Sequence, residues 1–298
     1  MAVRGGPYTG EARWCSRVLL VGESSLDTAF MLALEESMLL ASGACGLCLA
    51  AVWADRPALV AGRTSRVEEE VDLGEAGRRG LEVYRRLSGG GTVYHDPGNL
   101  NLTLTLPRRL PVVEAHSLVA GLVARAVGAL GLTPRVENEG DVVVGGWKLS
   151  GSAVYLAGHA TLAHATLLVE ADLDAAYATL RPLWSKIAGG EATPSKYRPA
   201  NLASLSPGVA VGEAREALLA ALSSAAPEGA LQAGASLLAA LHSAAAELEP
   251  LYRSGAWRLR GRRRQSFSFR AAARLVGGVL ECPYTRGQGT TGPRSARL

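Results

Sequence analysis

Lysine is almost missing from this chain of 298 residues. Of 31 basic side chains, only Lys148, Lys186 and Lys196 are lysines, and the other 28 are arginines. A compact ammonium and a planar guanidinium are not interchangeable at a reacting centre, so each surviving lysine is a candidate for chemistry. An excess of one charge sign is also missing. A formal net charge of +4 is too mild to imply nucleic-acid binding by itself. Cysteine is scarce: Cys15, Cys45, Cys48 and Cys282 are too few and too scattered for a disulfide framework, which points to a reducing compartment, the cytoplasm. Cys45 and Cys48 have redox or zinc spacing, but no second Cys or His pair lies near them, and they read as two small, partly buried side chains. No uncharged apolar run reaches the ~18 residues of a membrane span, and no signal-type apolar stretch precedes Glu11, so membrane and secreted classes are excluded from the reading. No G-x-x-x-x-G-K-[ST] motif occurs, so a Walker-type ATP site has no support. Gly287–Gly292 matches G-x-G-x-x-G in letters only, because Pro293 and the chain end leave no room for the helix that motif opens.

What is there suits a folded protein. Hydrophobic residues are 48% and charged residues 19%, and the length is about twice the ~150 residues typical of one domain. Capping-box spacing at Ser24–Asp27 opens a helix of about 15 residues that puts Met31, Leu34 and Met38 on one stripe. Strands are expected at 47–53, 58–61, 81–84 and 100–106, where Leu100, Leu102, Leu104 and Leu106 alternate cleanly. A helix is expected at 114–130. A β-hairpin turns at Gly145–Gly146 and runs on to Leu156, with a strand near 167–169 and a short helix at 172–180. After Pro207–Gly208 the composition shifts to Ala/Leu-rich helical patterns at 213–225 and 230–249, then strand-like pieces near 256–260 and 266–272. The fold class is α+β, a mixed or antiparallel sheet with flanking helices, divided into a 1–208 unit and a smaller α+β unit at 209–298.

Three segments carry candidate chemistry. In Arg85–Asn101, RRLSGGGTVYHDPGNLN, the consecutive Gly89, Gly90 and Gly91 suit a backbone that curls around an anion and turns N–H groups toward it. Arg85 or Arg86 could clamp a phosphate, Ser88 could donate to it, and His95, Asp96 and Asn99 crowd polar groups beside the strand. The plainer reading is a glycine-rich hairpin turn with a capping histidine. In Trp147–Ala153, Lys148 follows a Gly-Gly turn with the small residues Ser150, Gly151 and Ser152 behind it, where an ammonium can reach into a cleft; Asp141 at the head of the hairpin suits a magnesium ion. A solvated strand lysine is the ordinary alternative. His159 and His164 lack the i, i+4 zinc pattern, and His164 with Thr166 could instead line a pocket wall. Together these pieces suit ATP-driven activation of a carboxylate, in which cations and amides meet the charge on the phosphoryl oxygens.

The same residues resemble the lipoate–protein ligase family, within the wider group that includes biotin ligases and octanoyltransferases. RRLSGGGTVYHDPGNLN (85–101), KLSGSA (148–153) and HATLL (164–168) resemble three family motifs in their expected order, and LALEE (32–36), Leu59–Arg63 and Asn201–Leu205 are weaker matches. The resemblance covers roughly residues 25–208. It implies a biotin/lipoate-ligase-like catalytic domain, with 209–298 as an accessory domain. It further implies that ATP with Mg²⁺ activates lipoate, or octanoate, to the acyl-adenylate. The acyl group then passes to a lysine on a lipoyl carrier domain of a 2-oxoacid dehydrogenase complex or on the glycine cleavage H protein, with a separate accessory subunit as a further partner. By the same resemblance Lys148 is the essential catalytic lysine and Asp141 helps place magnesium. Arg86, Ser88, Gly89, Gly90, Gly91, His95, Ser150, Gly151, His164 and Thr166 surround the adenylate and acyl chain.

Three positions depart from that pattern: Gly140 stands where the family has Asn, Ala165 where it has Gly, and Ala163 where another His is common. An octanoyltransferase working from an acyl-carrier protein is the first alternative. Its cysteine nucleophile has no counterpart, since no Cys occurs between Arg63 and Glu281. The second alternative is a nonenzymatic nucleic-acid binder, built on the eight arginines and no acidic residue between Leu251 and Leu280.

Overall fold

The computed structural model describes residues 14–22, 26–138, 140–181 and 198–261. In chain order these form β1 (Val18–Leu20), α1 (Thr28–Cys45), β2 (Leu49–Trp53), β3 (Ala58–Ala61), α2 (Val67–Glu70) and α3 (Leu73–Arg78). Then come β4 (Glu82–Arg85), β5 (Val93–His95), β6 (Asn99–Leu106), α4 (Val112–Ala129), β7 (Arg135–Glu137), β8 (Asp141–Val144) and β9 (Trp147–Ser150). The last group is β10 (Ser152–Ala157), β11 (Ala160–Leu168), α5 (Leu173–Thr179), β12 (Arg198–Pro199), α6 (Leu202–Leu205), α7 (Val211–Ala225), β13 (Ala230–Gln232), α8 (Ala235–Arg253) and α9 (Gly255–Arg258).

A six-stranded sheet ordered β10-β11-β6-β2-β1-β13 is the backbone of the molecule. It is antiparallel from β10 to β2 and parallel from β2 to β13. β6 lies inside it because its pattern satisfies two layers at once. Leu100, Leu102, Leu104 and Leu106 enter the core under α4 and α7, while Asn99, Asn101, Thr103 and Thr105 are equally buried on the opposite face. A three-stranded sheet, β4-β3-β5, and a four-stranded sheet, β12-β9-β8-β7, stand beside it.

Asp27 caps α1 by accepting from the Phe30 amide, and Gly46, at φ 73°, ends it with its N–H on Ser42 O. The helix is longer than the expected stripe and is buried on nearly every side, because α8 covers the face that the sheet leaves open. That is why consecutive acids occur inside it: Glu36 accepts a 2.9 Å hydrogen bond from the buried Tyr252 of α8, while Glu35 points the other way.

Several expectations change. The extended run after Gly146 divides at Gly151, so β9 and β10 belong to different sheets. Residues 230–232 form a strand because β1 offers them an edge, in parallel register Val18↔Ala230. Residues 255–258 are a helical turn capped by Ser254, not a strand; the piece at 266–272 lies outside the described residues. The described part of the 209–298 unit is not separate. β13 extends the main sheet, α7 packs on α4 and α8 on α1. Cys15 and Cys48, 33 residues apart, form a disulfide, where the sequence suggested unlinked side chains. The distance in sequence hid the pair, since Cys15 follows from β1 and Cys48 from β2 lying side by side.

Candidate active site

A cavity of about 680 Å³ opens where the three sheets meet, and it is lined by Gly90, Gly91, His95, Asp141, Lys148, Ser150, Gly151, His164 and Thr166. Residues from three distant stretches of the chain are thereby gathered around one cavity. Arg86 also reaches the cavity lining, whereas Ser88 is fully buried behind it.

The glycine-rich loop is shaped from behind by the two arginines. Arg86 donates from Nη2 to Gly89 O (2.6 Å) and Gly91 O (2.9 Å), from Nη1 to Val60 O (2.8 Å) and from Nε to Ser88 Oγ (3.0 Å). Ser65 Oγ donates to Gly90 O at 3.0 Å. With its carbonyls tied back and Gly90 and Gly91 on the cavity lining, this loop is suited to meet phosphate oxygens with its amides. Gly90 takes φ 88°, and Gly62 lies so close beneath it that a Cβ there would run into Gly90 O. Arg86 therefore frames the loop, and the expected phosphate clamp is not what its donors do. Burial pushes its guanidinium down to about 10, which still leaves it charged at neutral pH. Arg85 is committed more deeply. Its donors reach the carbonyls of Gly62, Arg63, Ser65, Trp257, Arg258 and Leu259, so it ties α9 to the base of the loop.

Lys148 sits on β9, just past the turn formed by Gly145 (φ 56°) and Gly146 (φ 89°). Its Nζ lies 2.6 Å from Asp141 Oδ1 on the neighbouring strand β8, and Asn138 Nδ2 holds the other carboxylate oxygen at 3.3 Å. Gly151 leaves room for the lysine: a Cβ there would lie 3.3 Å from both Cε and Nζ of Lys148 and would press on the end of its side chain. The lysine is thus presented across a glycine, held by one carboxylate, facing the anion-suited loop. Three buried polar atoms in the same lining have no partner: Ser150 Oγ, Asn99 Oδ1 and Asn101 Nδ2. Burial without a hydrogen bond is costly, so these atoms are open to water or to a ligand's polar groups.

Sequence reasoning passed over Glu35 and Asp55 as site residues. Glu35 Oε1 lies 3.0 Å from His164 Nδ1 and accepts from Thr103 Oγ1 at 2.6 Å; His164 Nε2 meets Ser88 Oγ at 2.6 Å. Burial pushes the Glu35 carboxyl up, but the charge of His164 and the hydrogen bonds from His164 and Thr103 outweigh it and hold it below its ordinary range. Asp55 is fully buried in the turn after β2. It accepts from Thr28 Oγ1 at 2.8 Å and stands 3.2–3.3 Å from His95 Nδ1. The signal for Glu35 was its charge inside an apolar helical stripe; Asp55 sits in a turn-like Asp-Arg-Pro sequence and gave none.

The departures at 140, 163 and 165 have structural accounts. A Cβ at Gly140 would collide with Ser152 Oγ, which His116 Nδ1 holds at 2.8 Å. Ala163 points into the core under α4 and does not line the cavity, whereas Ala165 does. Among the described residues, no cysteine lines the cavity.

The matched family model describes the lipoyl protein ligase A/B catalytic domain, over residues 27–223. A protein of Aeropyrum pernix assigned as a lipoate-protein ligase A is 43% identical over 173 residues, 58% of this chain and 66% of its own length. The first curated relatives are matched over between 36% and 66% of their own length. Among solved structures, part of a bi-partite lipoate protein ligase from Thermoplasma acidophilum, studied with its E2 lipoyl domain, superposes with a TM-score of 0.69 at 26% identity, covering 85% of this chain and 99% of that one. A lipoate-protein ligase A bound with ATP superposes with a TM-score of 0.65 at 26% identity, over 82% of this chain and 98% of that one.

Proposed function

Because the chain belongs to the lipoyl protein ligase A/B family, we propose that it uses ATP to activate lipoate, or octanoate, and transfers the acyl group to a lysine of a lipoyl carrier domain. The observation that carries this reading is the convergence of Gly90, Gly91 and Lys148 on one cavity. In the first step a carboxylate oxygen attacks the α-phosphorus of ATP and pyrophosphate leaves. Lys148 lies where its ammonium can meet the α-phosphate and carboxylate oxygens, and the loop amides meet the remaining charge. Both donor types are in place before the reaction, so little reorganisation is needed as charge develops.

Magnesium fits this donor set only as a phosphate-assisted ion. Among the described residues no cluster of three or more His, Cys, Asp or Glu could hold a metal. Mg²⁺ commonly keeps waters and takes one or two carboxylates plus substrate phosphates, so Asp141 serves as the single protein ligand. When bound, the ion would neutralise part of the polyphosphate charge.

The carriers are lipoyl domains of 2-oxoacid dehydrogenase complexes or the H protein. The relative covered over nearly its full length is half of a bi-partite ligase, which supports a separate accessory subunit here. A cysteine-based transferase has no nucleophile among the described residues of the cavity lining. The nucleic-acid reading loses support at Arg253 and Arg258 of its segment. Arg253 pairs with Asp27 and Glu249, and Arg258 donates to Val83 O and Glu82. Lipoate-dependent ATP–pyrophosphate exchange, run with and without an accessory subunit, tests the proposal. Lys148→Ala should lower the exchange at least ~10³-fold, and Lys148→Arg should not restore it, because a planar fork cannot replace a point charge across Gly151. Exchange unchanged in the alanine variant would overturn the assignment.

A further inference from the structure

Acyl transfer needs something that adenylation does not: a proton acceptor. The carrier lysine arrives as an ammonium, with an ordinary pKa of about 10.4, and must lose a proton before its nitrogen can attack. Most polar groups in the cavity cannot take that proton. Lys148 is an ammonium ion-paired with Asp141, and Arg86 is a buried guanidinium; both only donate. Burial pushes the Tyr94 phenol up to about 12. Glu35 is already held by His164 and Thr103. His164 has both ring nitrogens engaged, Nδ1 on Glu35 and Nε2 on Ser88. Ser88 Oγ, which also accepts from Arg86 Nε, lies 2.6 Å from Nε2, so each ring nitrogen of His164 already has a partner.

His95 is different. It lines the same cavity, and its Nδ1 faces the carboxylate of Asp55. An ionised carboxylate only accepts, so the ring proton sits on Nδ1 and the lone pair on Nε2. Asp55 is in turn fixed by Thr28, and Trp53 packs edge-on against the imidazole with ring centroids 6.0 Å apart. Among the described residues, the carboxylates near this ring are Asp55 from the β2–β3 turn and Glu35 from α1.

We propose that His95, oriented by Asp55, is the proton acceptor of the transfer step; this rests on the acyl-transfer reading above. Nε2 removes one proton from the carrier ammonium. The amine nitrogen then bonds to the acyl carbon, the bond from that carbon to the phosphate oxygen breaks, and AMP leaves. The second proton departs from the tetrahedral ammonium to solvent through the cavity mouth, and His95 returns its own proton by the same route. Asp55 is a positioning residue, holding the tautomer and stabilising the imidazolium.

The test starts from synthetic lipoyl-adenylate and an apo lipoyl domain with the full chain, which bypasses adenylation and any subunit that step needs. His95→Gln should lower kcat about 10²-fold at pH 7 while the KM for lipoyl-adenylate stays within about twofold. The deficit should narrow by about tenfold per pH unit as the free-amine fraction of the carrier lysine rises. Asp55→Asn, whose amide drives the ring proton to Nε2, should show the same kcat loss and the same narrowing, and it carries the test alone should His95→Gln not fold. A loss equal at every pH, or a raised KM with unchanged kcat, would assign His95 to adenylate contact and overturn the proposal. A wild-type chain that transfers nothing from lipoyl-adenylate would overturn the functional reading itself, an outcome separate from the variant's pH profile.

Discussion

Substituting Gly62 with alanine tests the architecture of the loop through a residue that no substrate touches. Gly62 opens the turn after β3 directly beneath the glycine-rich loop. An alanine Cβ would collide with Gly90 O, lie 2.9 Å from the Gly90 carbonyl carbon and 3.2 Å from that of Gly89. Neither side yields easily, because all three partners are backbone. Gly62 O is held by Arg85 Nη1 at 2.6 Å, Arg63 N by Ser88 O at 2.8 Å, and Gly90 O by Ser65 Oγ. Relief therefore requires the loop to move outward by about 1 Å, the scale of misplacement that costs about 10²-fold in rate. Overpacking against a buried backbone costs about 1–3 kcal/mol. The expected result is a folded protein with a lower Tm and exchange reduced about 100-fold, read by calorimetry and the pyrophosphate-exchange assay. Wild-type Tm and exchange together would refute the claim that this close approach sets the loop, and with it the view that Arg85 and Arg86 frame the site.

Glu35 predicts an acid limb of stability. Its carboxyl is held below the ordinary value of 4.5, so the contribution is full above that pH and is lost as pH falls through the depressed value; Glu35→Gln should flatten this limb in a pH series of denaturant midpoints and cost about 1–3 kcal/mol at pH 7. An unchanged acid limb would refute the buried pair. Reducing the Cys15–Cys48 link, or Cys15→Ser, should lower stability by about 3–4 kcal/mol for a loop of this length. Turnover at moderate temperature should stay intact, because neither cysteine lines the cavity.

The sequence by itself determined the local elements and the chemistry-bearing segments. β6 was legible because leucine alternates over a full strand, and the β8–β9 hairpin because Gly-Gly takes the two positive φ values of its turn without strain. The glycine-rich loop and the lone lysine were legible because consecutive glycines and a rare ammonium contrast with the rest of the chain. Only the tertiary structure decided what the neighbours of those segments do. Arg85 and Arg86 carry the same side chain and adjoin the same loop, yet carbonyls from β3, the turn after it and α9 turn both into its frame. Residues 230–232 became a strand because β1 had an open edge, and Asp55 became the partner of His95 because β3 pairs with β5 in the register Ala58↔His95. Pairings of this kind join residues tens of positions apart, and a periodicity read along the chain contains no term for them.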